Sequence, residues 1–175
     1  MEKQQLTPCG VFVILFSILL GCSFQKSSVK DAETSRIDSL LSFYRDSLAV
    51  RPLAVISKLR TDQENVSDSI NYYNLDQTIS RCYYFSNRVD SAFLLNDRIL
   101  HFVEKQPEKA DRLLKLSADA YNSRGVFFQD MNQWDSAIVC LHNASEALSQ
   151  ANVQNRLPAI NVYINMADCY QHQGD

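Results

Sequence analysis

The tripeptide Asp-Ser-Ala occurs twice in this 175-residue chain, at positions 90–92 and 135–137, and the residues around the two copies also correspond. Tyr83 and Phe128 lie at the same distance before the two triplets, and Tyr170 takes the equivalent place in a partial third copy. An internal repeat constrains the fold more than any local pattern, because it is typical of arrays in which one structural unit is stacked on the next.

The composition indicates a globular helical chain. Hydrophobic residues make up 46% of the sequence, and four Gly and four Pro are too few for a turn-rich all-β protein. The net charge is −3, and no run of Lys or Arg stands out. We therefore expect no nucleic-acid-binding surface in this segment.

Apolar residues recur at helical spacing from residue 36 onward, and no segment alternates convincingly with a period of two. The sequence therefore predicts an all-α fold. Residues 36–67 are predicted to form a degenerate N-terminal helical pair or cap, and residues 68–175 a set of helical repeats of which the last is incomplete. The helices of that second region are predicted at about 70–86, 89–105, 107–130 and 134–150, and from 158 onward.

The N-terminus resembles the signal peptide of a bacterial lipoprotein. The apolar stretch 11–20 is shorter than the roughly 20 residues of a spanning helix, and Leu19-Leu20-Gly21-Cys22 resembles the lipobox. The resemblance implies that residues 1–21 are removed and that Cys22 carries acyl chains such as palmitate. Residues 22–35 would be a polar tether, and the protein would face the periplasm or the cell surface. A signal anchor, or an ordinary cleaved signal in which Cys22 is incidental, is the alternative.

The repeated positions resemble the packing positions of the tetratricopeptide repeat (TPR) family. In that family a small residue stands where two helices cross, a ring follows one turn later, and small residues of the second helix lie opposite. The matching residues are Ser80, Tyr83 and Ala92 in the first copy, Gly125, Phe128, Ala137 and Ala144 in the second, and Ala167 and Tyr170 in the third. The copies are farther apart than the roughly 34 residues typical of TPR units.

The resemblance implies a TPR-like α-solenoid whose first helices line a groove for an extended peptide or a partner helix. Polar residues of those helices that are not expected to pack inward are Arg81, Asn122, Gln129, Asn161 and Asn165. The amides would bond a peptide backbone and Arg81 a carboxylate; an ordinary solvated face is the alternative for each. The expected function is a non-catalytic, membrane-anchored protein–protein interaction scaffold. The alternative is the N-terminal sensor part of a longer membrane-bound signalling or transcriptional regulator.

The third copy stops before its second helix, so the last helix is expected to expose an apolar stripe that includes Tyr163 and Tyr170. Self-association through this helix is one way to cover the stripe. No catalytic or metal-binding motif is found, and the three histidines are not at ligand spacing. We therefore expect no enzyme, metal or cofactor. Cys82, Cys140 and Cys169 are expected to be small buried residues rather than disulfide partners or metal ligands.

The form Asp-Ser-apolar occurs five times, and it resembles the acceptor motif for O-glycosylation in exported proteins of Bacteroidetes. The candidate acceptors are Ser39, Ser47, Ser69, Ser91 and Ser136. Asp and Ser also favour helix starts, so a structural origin is the alternative.

Overall fold

The computed structural model describes residues 29–151 and 157–174, and these contain helices and connecting turns but no β-strand. The predicted all-α class is confirmed. The predicted signal peptide and Cys22 lie outside the described residues. The seven helices of the described part are α1 (residues 29–44), α2 (Pro52–Gln63), α3 (Ser69–Phe85), α4 (Val89–Glu104), α5 (Asp111–Asp130), α6 (Trp134–Gln150) and α7 (Leu157–Gln173). A short 3-10 turn, Arg45–Ser47, follows α1.

The helices pack as sequential antiparallel pairs, and each pair adjoins the next mainly through α2 and α3, α4 and α5, or α6 and α7. Helix α5 packs most extensively against α6, and α3 against α4. Helix α3 also contacts α5, and α5 contacts α7. Apolar side chains at helical spacing form three buried clusters. The first surrounds Ile79 and joins α1, α2 and α3; the second surrounds Ile99 and joins α4 to α5. The third surrounds Leu141 of α6 and joins α5, α6 and α7.

Three of the five Asp-Ser pairs stand at helix starts. Asp68 caps α3, because its Oδ1 accepts the backbone N–H groups of Ile70 and Asn71 at 3.0 and 3.1 Å. Asp90 and Asp135 lie in the first turns of α4 and α6, where a negative charge is favourable for the helix dipole. The structural origin of the motif is thus observed at these three places.

The turns α3–α4 and α5–α6 have the same geometry. Asn87 and Asn132 adopt left-handed backbone angles, with φ of 58° and 57°. In each turn the residue after the Asn donates its N–H to the ring residue singled out above: Arg88 to the Tyr83 carbonyl and Gln133 to the Phe128 carbonyl, both at 2.9 Å. Asn tolerates this conformation better than most residues, and it closes the helix end by satisfying a free carbonyl.

The small residues at the helix crossings differ between the two pairs. A Cβ on Gly125 would lie 2.6 Å from Cγ of Leu141, so the absence of a side chain lets α5 and α6 approach. In the first pair Ser80 stands at the same position, and its Oγ donates to the Ala92 carbonyl at 2.8 Å. Both Ser80 and Ala92 are fully buried.

Not every predicted packing residue is enclosed. Ala137 and Ala144 are fully buried, and Tyr83 and Phe128 are half-buried against the cores. Ala167 and Tyr170 are exposed, because no described helix covers their side of α7. The cysteines Cys82, Cys140 and Cys169 are buried and unbridged.

The first helix starts earlier than the sequence pattern suggested. Residues 29–35, assigned to the polar tether, are helical. Hydrogen bonds from Glu33 hold this part of the helix against the start of α3. Its Oε2 accepts from the backbone N–H of Ser67 at 3.0 Å and from the Ser67 hydroxyl at 2.6 Å. Its Oε1 accepts from the N–H of Asp68 and from the side-chain amide of Asn71. Burial alone would raise the pKa of Glu33, but these hydrogen bonds outweigh it and lower the pKa to about 2.

Candidate interaction surface

The first helices of the pairs are joined by side-chain amides rather than by apolar packing alone. Between α3 and α5, Gln77 Nε2 donates to Ser123 Oγ at 2.8 Å and to the Asp119 carbonyl at 3.3 Å. Between α5 and α7, Gln129 Nε2 donates to the Asn165 carbonyl at 2.9 Å. These hydrogen bonds hold α3, α5 and α7 side by side. The exposed sides of the three helices therefore form one continuous surface.

The structure brings three of the five predicted peptide-binding residues together. Asn165 Nδ2 donates to Asn122 Oδ1 at 3.0 Å, and Gln129 reaches both the Asn165 carbonyl and a carboxylate oxygen of Asp168. Gln129 is buried, so its amide holds α7 on α5 and is not available to a ligand without breaking that contact. Asn122 and Asn165 are half-buried.

The other two predicted residues are exposed at the borders of this row. Arg81 lies one turn after Gln77 on α3, and Asn161 lies one turn before Asn165 on α7. Residues one turn apart share a helix face, so both extend the surface that the amides define. We call the set Arg81, Asp119, Asn122, Asn161 and Asn165 the α3–α5–α7 surface.

Asp119 also belongs to this surface, although no motif in the sequence distinguishes it. It is half-buried on α5, between Lys115 one turn earlier and Ser123 one turn later. Desolvation raises the pKa of the Asp119 carboxyl to about 6, and the nearby cations of Lys115 and Arg81 lower it in part. Its only sequence signal is a lone acid within the largely apolar stretch 113–120.

An aromatic contact fixes α3 against α5 at the end of the same surface. The rings of Tyr84 and Phe127 stack with their centroids 4.0 Å apart and 9° between their planes. The Tyr84 hydroxyl donates to Asp130 Oδ2 at 2.8 Å. Desolvation and this bond raise the pKa of Tyr84 to about 12, so the hydroxyl remains a donor at neutral pH. No pattern in the sequence distinguishes Tyr84 and Phe127 from the other aromatic residues.

The three histidines lie on three different helices, α4, α6 and α7. His101 lies 4.0 Å from Glu104 on its own helix, and His172 stacks on Trp134 with centroids 4.7 Å apart. His142 is exposed on α6. Among residues 29–151 and 157–174, no group of three or more His, Cys, Asp or Glu side chains is arranged to hold a metal ion.

The candidate glycosylation sites differ in accessibility. Ser39 and Ser69 are exposed, whereas Ser47, Ser91 and Ser136 are half-buried. The Ser39 hydroxyl donates to the Ser35 carbonyl at 2.9 Å. In the same described part of the chain, no helix combines the length and hydrophobicity needed to span a membrane.

No protein-family model, no curated protein and no solved structure matches the chain.

Proposed function

We propose that this chain is a TPR-like helical-repeat protein, tethered to a bacterial membrane through a lipid on Cys22. On this proposal it does no chemistry and binds an extended peptide segment of another protein along the α3–α5–α7 surface. The observation that carries the proposal is the correspondence of the helix pairs α3–α4 and α5–α6. Their turns share the left-handed Asn and the same hydrogen bond, at Asn87 and Asn132.

The way the pairs adjoin supports the same proposal. Successive pairs touch through α4 and α5 and through α6 and α7, and their first helices α3, α5 and α7 also contact one another in order. In a stack of helix pairs this arrangement gives one face built from first helices only, and such a face is long enough to accept several residues of an extended chain. The ligand class follows from that shape rather than from a closed pocket.

The chemistry of the surface suits a peptide backbone. An extended segment exposes one N–H and one C=O per residue, and both need partners when they are covered. Asn122, Asn161 and Asn165 offer amides that can act as donor and acceptor. Arg81 on α3 and Asp119 on α5 add one group of each sign, so they favour a ligand that carries both charges or a polar side chain beside these two helices.

Binding is tested with a library of random twelve-residue peptides displayed on phage and panned against the chain. Selected peptides are then titrated by fluorescence anisotropy. The double variant Arg81→Ala/Asn161→Ala removes two exposed groups of the surface, so we expect the Kd to rise about 10-fold, which corresponds to about 1.4 kcal/mol. Arg88→Ala is the control, because Arg88 is exposed in the α3–α4 turn. Equal binding by the double variant and the wild type would refute the surface.

The lipid anchor is tested separately. In cells, Cys22→Ser should prevent lipidation and change both the processed size and the membrane fraction of the protein. An unchanged size together with unchanged membrane attachment would exclude the anchor without affecting the peptide-binding proposal.

A further inference from the structure

Asp119 is the charged member of a set of three equivalent positions in the repeat. The residues that stand nine places before the three equivalent aromatic rings are Asn74, Asp119 and Asn161. They lie on α3, α5 and α7, so each first helix contributes one of them. Two of the three are Asn, and only the central helix carries a carboxylate. The repeat therefore accepts an amide at this position, and packing does not need the charge of Asp119.

Hydrogen bonds fix the backbone and the neighbours of Asp119. Gln77 Nε2 of α3 donates to the Asp119 carbonyl at 3.3 Å and to Ser123 Oγ, one turn later, at 2.8 Å. Asn122, three residues after Asp119 and on the same side of α5, accepts from Asn165 Nδ2 of α7 at 3.0 Å. The Asp119 side chain thus starts from a fixed point between α3 and α7.

The carboxylate of Asp119 differs from those of the other acidic residues that are not exposed. The described part of the chain contains five such residues, and four of them have a hydrogen bond or an ion pair with another side chain: Glu33, Asp62, Asp68 and Asp76. Asp119 has neither among the described residues, and the cations Lys115 and Arg81 act on it from beyond ion-pair distance. Its oxygens are not enclosed, so a ligand can reach them.

A half-buried carboxylate without a partner favours a positively charged ligand. A peptide that covers Asp119 removes solvent from it, and this is unfavourable unless the peptide supplies a hydrogen-bond donor. An ammonium or guanidinium group supplies donors and also neutralises the charge, and such hydrogen bonds are about twice as strong as neutral ones. A neutral or acidic side chain at the same place would leave the carboxylate covered and unpaired.

We propose that Asp119 determines the specificity of the α3–α5–α7 surface by binding the charged side chain of a Lys or Arg in the bound peptide. The inference rests on the proposed function, to which it adds the class of residue that the ligand must carry. Arg81 and Lys115 disfavour a second positive charge beside the first, so we expect a single basic residue at this point.

The same contact makes binding dependent on pH. Desolvation raises the pKa of Asp119 to about 6, and the nearby cations lower it in part. These cations are Lys115 of α5 itself and Arg81 of α3; no titratable group from the described parts of α4, α6 or α7 contributes. A cationic ligand binds the ionised carboxylate. Affinity should therefore be full well above pH 6 and should fall as the pH drops through 6.

The first test pans the random twelve-residue phage library in parallel against the wild type and Asp119→Asn. Asn nearly preserves the shape of Asp and is the residue at positions 74 and 161. Peptides selected by the wild type should be enriched at least about 5-fold in Lys or Arg at one fixed position, and peptides selected by the variant should not. Equal enrichment by both proteins, or none by the wild type, would overturn the proposal.

The second test titrates one selected peptide, acetylated at its N-terminus so that its cations are all side chains, and a copy with Met in place of the basic residue. At pH 7.5, Asp119→Asn should raise the Kd of the basic peptide at least about 10-fold and that of the Met peptide less than about 2-fold. At pH 5 the wild type should bind the basic peptide more weakly, whereas the variant should not change. Asp90→Asn is the charge control, because Asp90 is exposed on α4, outside the surface. An equal effect of the two variants would contradict a direct contact.

Thermal unfolding of the free protein separates this role from a structural one. Folding raises the pKa of Asp119 from 3.8 to about 6, so its ionisation destabilises the folded state. Asp119→Asn should therefore raise Tm at pH 7.5, and the gain should disappear as the pH falls towards 4. A fall in Tm at pH 7.5 would show that the carboxylate has a structural partner and would overturn the inference.

The outcomes also separate this inference from the proposed function. Selected peptides that lose affinity in Arg81→Ala/Asn161→Ala but bind Asp119→Asn as they bind the wild type would keep the proposed surface and overturn this inference alone. A library that yields no binder would overturn both.

Discussion

Gly125→Ala tests how closely α5 and α6 cross. The added Cβ would lie 2.6 Å from Cγ and 2.7 Å from Cδ2 of Leu141, and 3.4 Å from the Ala137 carbonyl oxygen. Real Cβ atoms do not tolerate the first two distances, so Leu141 or one of the helices must move. Leu141 is fully buried, so a rotation about its Cα–Cβ bond that moves Cγ away would drive the side chain into its close-packed neighbours.

Two opposing effects set the magnitude. Overpacking a well-filled core costs about 1–3 kcal/mol. Replacing a mid-helix Gly by Ala contributes about 1 kcal/mol in favour of the helix. Because two atoms of a fully buried side chain are involved, we expect overpacking near the upper end of its range and a net loss of about 1–2 kcal/mol. For a domain of this size the loss lowers Tm by a few degrees, at roughly 2–4 °C per kcal/mol.

The assay is urea unfolding followed by circular dichroism, carried out as a double-mutant cycle with Leu141→Ala. Leu141→Ala alone should cost about 2–5 kcal/mol through the cavity it leaves. In that background Gly125→Ala has no clash, so it should stabilise by up to about 1 kcal/mol. Ser80→Ala is the positional control: a Cβ already exists there, and only the bond to the Ala92 carbonyl is lost. Stabilisation by Gly125→Ala in the wild-type background, or the same effect in both backgrounds, would refute the close crossing.

Three further predictions concern polar groups. Asn132→Gly should stabilise the α5–α6 turn slightly, whereas Asn132→Val should cost about 1–2 kcal/mol in urea unfolding, because φ is 57° there. Glu33→Gln should lower the free energy of unfolding by about 1 kcal/mol at pH 7. Because folding lowers the pKa of Glu33 from 4.5 to about 2, the extra stability of the wild type is present above pH 4.5 and is lost as the pH falls towards 2. A stability difference that does not change with pH would contradict this. Arg60→Met should cost about 2–4 kcal/mol in thermal unfolding, because it removes the 2.8 Å partner of the fully buried Asp76; a loss below about 0.5 kcal/mol would show that Arg98, at 3.8 Å, is sufficient.

The helices within pairs could be predicted from the sequence because each has a strong local signal. Apolar residues at helical spacing located α3 to α7, and the Asn-containing turns located the ends of α3 and α5 within a few residues. The glycine at 125 marked the crossing because a side chain there would meet Leu141. Helical spacing, the turn residue Asn and the small residue at the crossing are local features, so the sequence shows them directly.

The start of α1 could not be predicted in this way because polar contacts hold it. Glu33 bonds to Ser67, Asp68 and Asn71, more than thirty residues away. No periodic pattern indicates such a contact. In the sequence, an acidic residue with distant hydrogen-bond partners cannot be distinguished from one that is simply solvated. The same limit explains why Asp119 was missed and why Gln129 was assigned to a ligand rather than to α7.

The shape of the α3–α5–α7 surface depends on side-chain hydrogen bonds and a ring stack between helices. Sequence patterns predict such contacts less well than they predict helices. Within a pair, burial of apolar side chains fixes the two helices at several points. Between pairs, Gln77, Gln129 and the stacked Tyr84 and Phe127 add a few directional contacts to the apolar clusters, each worth about 0.5–1.5 kcal/mol. Removing one of these directional contacts should shift the first helices locally, because the apolar clusters remain to hold the pairs together. Ligand affinity should therefore be more sensitive to Gln129→Ala than thermal stability is, because the amide sets the angle between α5 and α7 while the core sets the stability of each pair.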